Sequence, residues 1–166
     1  MHNQHIHSIT IVGAGTMGNG IAHVCAMAGF PVKLMDSSEE QLRIALQTIE
    51  KNLTRMAEKQ KIKLIEVGSS LARIQTYTDI KQAISDADMV LEVVPEQLSL
   101  KKQIWSQIEQ GIDPKRLKQT IFATNTSSIS ISELAEGITH PENMIGMHFF
   151  NPVPIMSLVE IILGNK

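Results

Sequence analysis

Near the N-terminus, Gly13-Ala14-Gly15-Thr16-Met17-Gly18 follows a β-branched run and opens an apolar helical pattern. In that context G-x-G-x-x-G is a dinucleotide loop. Its first glycine permits a tight turn, the second lets backbone approach a pyrophosphate, and the third lets helix and strand pack closely. Gly13, Gly15, Thr16, Met17 and Gly18 are therefore candidate cofactor contacts. The helix start would offer unpaired N–H groups and the positive end of its dipole to the phosphates. Asp36 stands eighteen residues past Gly18, at the end of the next apolar run. Its carboxylate can accept hydrogen bonds from ribose hydroxyls and would repel a 2′-phosphate, which favours NAD over NADP.

The last third carries a second set of reactive side chains. His148 lies in Gly146-Met147-His148-Phe149-Phe150-Asn151-Pro152, and Glu160 follows twelve residues later. Imidazole is the natural base near neutral pH. A carboxylate on a neighbouring antiparallel strand would fix its tautomer and stabilise its protonated form. A histidine in an apolar strand is also often a satisfied core residue, and residue types alone leave both readings open. Asn125 and Ser127 lie just past an apolar run. In a parallel sheet that is where ligands sit.

The elements that must position these groups alternate. Apolar, β-branched runs mark strands at Ile6 to Val12, Pro31 to Met35, Arg73 to Tyr77, Asp88 to Val94, Thr120 to Thr124, Met144 to Phe150 and Ser157 to Leu163. Helical patterns fall between most of them, the first from about Met17 to Ala28 and another from Gln97 to Gln110. Ser38-Glu39-Glu40-Gln41 reads as a capping box opening a long amphipathic helix to about residue 58. Gly68-Ser69-Ser70 looks like a break, and a shorter helix pairs back on the long one. The last two strands are joined by only six residues, too few for a crossover helix, so they should be antiparallel. The expectation is an α/β fold: a Rossmann-type, doubly wound, mostly parallel sheet of about eight strands. A helical-hairpin insertion, about 38–72, would follow the second strand.

Composition sets limits. The chain has 166 residues, 43% hydrophobic and 19% charged, with a formal net charge of −2. That near-balance argues against a nucleic-acid partner and against a polybasic membrane anchor. No apolar run approaches the length of a membrane span. Cys25 is the single cysteine, so no internal disulfide and no cysteine zinc site can form. With no signal-peptide pattern at the start, the expected location is cytoplasmic. His2, His5 and His7 lack carboxylate or thiol partners at ligand spacing, and no metal is expected.

Taken together, the segments GAGTMGNGIA, VVPEQLSLKK, NTSSISI and GMHFFNPVPIMSLVEII resemble the L-3-hydroxyacyl-CoA dehydrogenase family, along essentially the whole chain and in the right order. That family includes 3-hydroxybutyryl-CoA dehydrogenases and the dehydrogenase part of multifunctional fatty-acid oxidation subunits. The resemblance implies NAD-dependent oxidation of (S)-3-hydroxyacyl-CoA to 3-ketoacyl-CoA. His148 would be the base and Glu160 its orienting partner. Ser127 would hydrogen-bond the substrate oxygen, and Asn151 would help place substrate and cofactor. Glu96 and Lys101 match family positions near the nicotinamide side of NAD, although a helix-start anion and a solvated lysine would look alike in sequence. Arg55, Lys59 and Lys61, with Lys63, would meet the CoA phosphates. Glu58 and Glu66 among them equally suit a solvated charged face. Family members continue into a helical domain that closes the substrate cleft and carries most of the dimer interface. The sequence therefore also suits an NAD-binding module without turnover of its own, a homo-oligomer formed through exposed apolar surface, or a dehydrogenase for a non-CoA 3-hydroxy acid.

Overall fold

A computed structural model describes residues 6–165. Strand β1 (Ile9–Val12) is buried along its whole length. It is flanked by β2 (Val32–Met35) and β4 (Met89–Glu92), both parallel to it. With β3 (Ile74–Tyr77), β5 (Ile121–Thr124), β6 (Met144–Phe149) and β7 (Val159–Leu163) they form one sheet in the order β3-β2-β1-β4-β5-β6-β7. The first six strands run parallel, and β7 alone is antiparallel, paired to β6. The sheet has seven strands where the sequence suggests about eight. The seven apolar runs read from the sequence account for all of them, because the whole stretch between β2 and β3 is taken up by the helical insertion and its connections.

Alternation along the strands sends side chains to two separate cores, as a doubly wound sheet requires. Ile11, Leu34, Leu91 and Ala123 point to one face, where they meet Ile21 and Ala22 of α1 (Thr16–Met27) and Leu42, Ile49 and Leu53 of α2 (Glu39–Glu58). Val12, Val90 and Phe122 point to the other. There they meet Ile84 of α4 (Ile80–Ile84), Trp105 and Ile108 of α5 (Leu98–Gly111), and Leu134 of α7 (Ile131–Leu134). Trp105 and Phe122 pack tilted, with ring centroids 5.5 Å apart.

The insertion is a hairpin of α2 and α3 (Leu64–Leu71). Leu42, Ala45, Ile49 and Leu53 are buried at helical spacing on α2. The expected break at Gly68-Ser69-Ser70 is instead helix. Glycine in a helix interior costs about 1 kcal/mol. Here Val67 and Leu71, on either side, pack against the core and offset that cost. The capping box at Ser38 is half formed. The Ser38 hydroxyl accepts from the Gln41 backbone N–H at 3.2 Å, but the Gln41 side chain does not return to Ser38. It donates to the Ala14 carbonyl at 3.0 Å, tying the insertion to the glycine loop. Helix α6 (Pro114–Leu117) is an addition to the elements read from sequence, although Asp113 caps it and proline begins it, a recognisable start signal.

Candidate functional site

The glycine loop, the ends of four strands and the turn after β6 enclose a cleft of about 940 Å³. Each side of it follows from local sequence. Strand β1 ends at Gly13, whose φ of +110° suits only glycine. Gly13 N–H donates to Met35 O and Val93 N–H to Val12 O, both at 2.8 Å, so the turn is fixed between β2 and β4. Gly15 is the N-cap of α1 and supplies no side-chain cap, and the first turn of that helix contains no acidic residue. The first intrahelical bond runs from Asn19 N–H to Gly15 O, so the preceding N–H groups have no helical partner. A Cβ built on Gly15 would meet nothing within 4 Å. Open space thus stands in front of an uncompensated helix N-terminus, the arrangement a phosphate needs. Gly18 lies behind the loop: a Cβ there would fall 1.8 Å from the Gly13 carbonyl oxygen, so it sets the close approach of helix to strand.

Asp36, at the end of β2, accepts from Ala14 N–H at 2.9 Å through Oδ2 and from Ser38 N–H at 3.0 Å through Oδ1. Each oxygen keeps a second lone pair, and the residue lines the cleft.

Across the cleft, the β6–β7 register places His148 directly opposite Glu160. His148 Nδ1 lies 2.9 Å from Glu160 Oε2. A carboxylate can only accept, so Nδ1 carries the hydrogen, and in the neutral ring it is Nε2 that holds the lone pair. The imidazole is one-fifth exposed and stacks tilted against Phe150, with centroids 4.6 Å apart. Asn125 Oδ1 accepts from Phe149 N–H at 2.8 Å, which ties the end of β5 to the strand carrying His148. Ser127 and Asn151 also line the cleft.

The family model described as 3-hydroxyacyl-CoA dehydrogenase, NAD binding domain, matches residues 8–166. The chain belongs to the 3-hydroxyacyl-CoA dehydrogenase family, as its NAD-binding domain. It is 39% identical over 166 residues to a probable 3-hydroxyacyl-CoA dehydrogenase of Caenorhabditis elegans, covering 98% of this chain and 54% of that protein. It is 40% identical over 159 residues to a 3-hydroxybutyryl-CoA dehydrogenase of Bradyrhizobium diazoefficiens, covering 96% and 53%. The crystal structure of an (S)-3-hydroxybutyryl-CoA dehydrogenase from Ralstonia eutropha superimposes with a TM-score of 0.92 at 41% identity, covering 98% of this chain and 56% of that one. The chain thus spans about half the length of these relatives. NAD is the cofactor of this domain, and the open helix N-terminus, Gly15 and Asp36 fit it.

Within this 3-hydroxyacyl-CoA dehydrogenase domain, Gly13, Gly15, Thr16, Met17, Asp36, Glu96, Asn125, Ser127, His148 and Asn151 converge on one cleft. Glu96 Oε1 accepts from the Ser127 and Ser128 N–H groups at 3.0 and 3.2 Å, and from the Thr126 hydroxyl. Burial pushes the Glu96 carboxyl up. These hydrogen bonds and the nearby Lys101 ammonium outweigh it and hold the carboxyl at about 2. Lys101 itself does not line the cleft. It is 1% exposed beneath the wall, with Nζ 2.7 Å from Glu92 Oε1. A solvated lysine does not describe it. Arg55, Lys59 and Lys61 are exposed at and beyond the far end of α2, and none lines the cleft.

Glu92, Thr124 and Gln41 join the site only through the fold. A sequence signal exists for Glu92: a carboxylate inside a buried strand must find a partner. Among the described residues, no helix is long and apolar enough to cross a membrane, and no group of three His, Cys, Asp or Glu side chains is placed to hold a metal. His2 and His5 lie outside the described residues.

Replacing Asp36 by alanine is expected to weaken NADH binding roughly tenfold to a hundredfold, the equivalent of one charged hydrogen bond. The affinity for CoA should hold. Fluorescence titration of NADH measures it, and an unchanged affinity would remove Asp36 from the ribose site.

Proposed function

We propose that this chain binds NAD and uses His148 as the general base in oxidising (S)-3-hydroxyacyl-CoA to 3-ketoacyl-CoA. The observation that carries the proposal is the His148–Glu160 pair, 2.9 Å apart, on the wall of the cleft that begins at the glycine loop. With Nδ1–H held by Glu160, His148 Nε2 is free to take the proton of the 3-hydroxyl. Glu160 stabilises the imidazolium that forms. Ser127 hydrogen-bonds the substrate oxygen and Asn151 helps to place the substrate. NAD, when bound, supplies the acceptor for the hydride leaving C3. The reverse direction uses the same groups, with His148 returning the proton. Arg55, Lys59 and Lys61 would reach the CoA phosphates only if the nucleotide end of the substrate runs along α2. The single cysteine and balanced charge suit a cytoplasmic protein acting on a small molecule.

A narrower reading has its own support. Leu158, Ile161 and Leu163, on and beside β7, are more than half exposed, so the sheet edge behind His148 is uncovered. In that reading the chain holds NAD and the His–Glu pair but turns over only when another polypeptide segment, or a second copy, covers this edge.

The test is NADH oxidation by the purified chain with acetoacetyl-CoA as oxidant, beside acetoacetate without CoA. Turnover with the thioester alone is the expected result. Equal rates with both would overturn the CoA assignment. A folded chain that binds NADH without turnover would leave it the narrower role.

A further inference from the structure

We propose that Glu92 is a positioning residue for the cleft, holding Glu96 and the Ser127 loop in place through Lys101. Glu92 is the last residue of β4, paired on one side with Val12 and on the other with Thr124. This is where the chain leaves the sheet on both sides of the cofactor crevice, and where ladder hydrogen bonds run out. Glu92 is fully buried and lines no part of the cleft. Its Oε1 accepts from Val94 N–H at 2.8 Å and from Lys101 Nζ at 2.7 Å, and its Oε2 accepts from the Thr124 hydroxyl at 2.7 Å. Its backbone carbonyl accepts from Asn125 N–H at 2.9 Å.

The second link is Lys101. An ammonium has three donors. Three acceptors surround this one: Glu92 Oε1, the Val94 carbonyl at 3.3 Å and Glu96 Oε2 at 3.4 Å. The third link is Glu96, whose other oxygen takes the N–H groups of Ser127 and Ser128. A continuous run of charged hydrogen bonds, with the Lys101–Glu96 ion pair as its middle step, therefore leads from the buried end of β4 to the backbone of Ser127. Along it, Val94, Glu96, Asn125 and Ser127 line the cleft, whereas Glu92, Lys101 and Thr124 lie behind it.

A buried ion pair is a poor way to gain stability, because desolvation consumes much of the attraction and apolar side chains of similar volume often do as well. What the pair supplies here is direction. Val94 and the 126–128 segment lie outside any strand or helix, and their N–H groups need fixed acceptors. Glu92 keeps Lys101 aimed, and Lys101 keeps Glu96 turned toward the loop. The inference rests on this cleft holding NAD and not on His148 being the base.

The experiment separates positioning from stability. E92Q/K101M removes both charges at nearly constant volume, and the new amide at position 92 can still hydrogen-bond the Thr124 hydroxyl. The double variant should unfold at a denaturant concentration close to that of the unsubstituted chain. Its affinity for NADH should nevertheless fall about tenfold, the equivalent of one charged hydrogen bond. Amide exchange at Ser127 and Ser128 should quicken while β1 and β2 stay protected. Unaltered NADH affinity and exchange in a stable double variant would overturn the proposal. If that variant does not fold, Glu96→Ala removes the acceptor of the Ser127 and Ser128 N–H groups at a partly exposed site. Wild-type exchange at Ser127 and Ser128 in that variant would overturn the proposal equally. The exchange measurement needs no ligand. Failure of the positioning role is thus distinguishable from failure of the unsubstituted chain to bind NADH or to reduce acetoacetyl-CoA.

Discussion

His148→Gln is expected to slow NADH-dependent reduction of acetoacetyl-CoA by about 10²–10⁴-fold, the usual contribution of a positioned acid or base. The affinity for NADH should not change. The reason is geometric. Glutamine can occupy the site on β6 and can still hydrogen-bond Glu160, but it has no atom that gains and loses a proton near neutral pH. The glycine loop, Asp36 and the β4–α5 turn that carries Glu96 lie on other elements and do not depend on residue 148. Glu160→Gln should cost less, because the imidazole remains. The loss should fall on kcat more than on KM, since Glu160 lies behind the imidazole and does not line the cleft. Single-turnover measurements with the chain in excess over NADH read these rates even when steady-state turnover is slow. Retained activity in His148→Gln would sink the assignment of the base.

The His148–Glu160 pairing is legible in sequence because the signals behind it are local. The antiparallel pairing of β6 and β7 follows from a connection too short for a helix. Once it is granted, twelve residues of separation put His148 and Glu160 across from one another, as the register shows. The β1–α1–β2 unit is legible for the same reason: the apolar run, the glycines and Asp36 lie within 28 residues. What is not legible depends on distant packing. Nothing near Gly68 shows that Val67 and Leu71 will be held against the core, so a helix replaces the expected break. Nothing near Gln41 shows that the Ala14 carbonyl will compete for its amide. Lys101 is the more instructive case. Lys101, Trp105 and Ile108 form the buried stripe of α5. Their spacing alone places the lysine on the buried face, and a lysine there requires a buried carboxylate. That requirement is visible in sequence, but its partner, at the end of a strand nine residues earlier, takes the fold to identify.

The second and third glycines of the loop, Gly15 and Gly18, should separate binding from folding. Gly18→Ala sets a Cβ 1.8 Å from the Gly13 carbonyl oxygen and 2.8 Å from its carbon. Both are backbone atoms of a turn pinned to Met35 and Val93, so neither can step aside cheaply. Helix α1 must move away from β1, opening the core at Ile11 and Ile21. Overpacking of this kind costs about 1–3 kcal/mol and sometimes more. A contact this short against fixed backbone belongs at or above the top of that range. Gly15→Ala should behave in the opposite way. Its backbone, at φ −63° and ψ −166°, is one that alanine adopts, and its Cβ would meet nothing in the protein. Alanine is a poorer N-cap than glycine, but it also restrains the unfolded chain, so the two small effects oppose each other. Stability should therefore hold in Gly15→Ala while NADH affinity collapses, because the new methyl group stands where the pyrophosphate must approach the helix N-terminus. Denaturant unfolding and NADH titration of both variants check this. If Gly15→Ala binds NADH normally, the phosphates do not lie against this loop. If Gly18→Ala is as stable as the parent, the helix–strand approach is not set there.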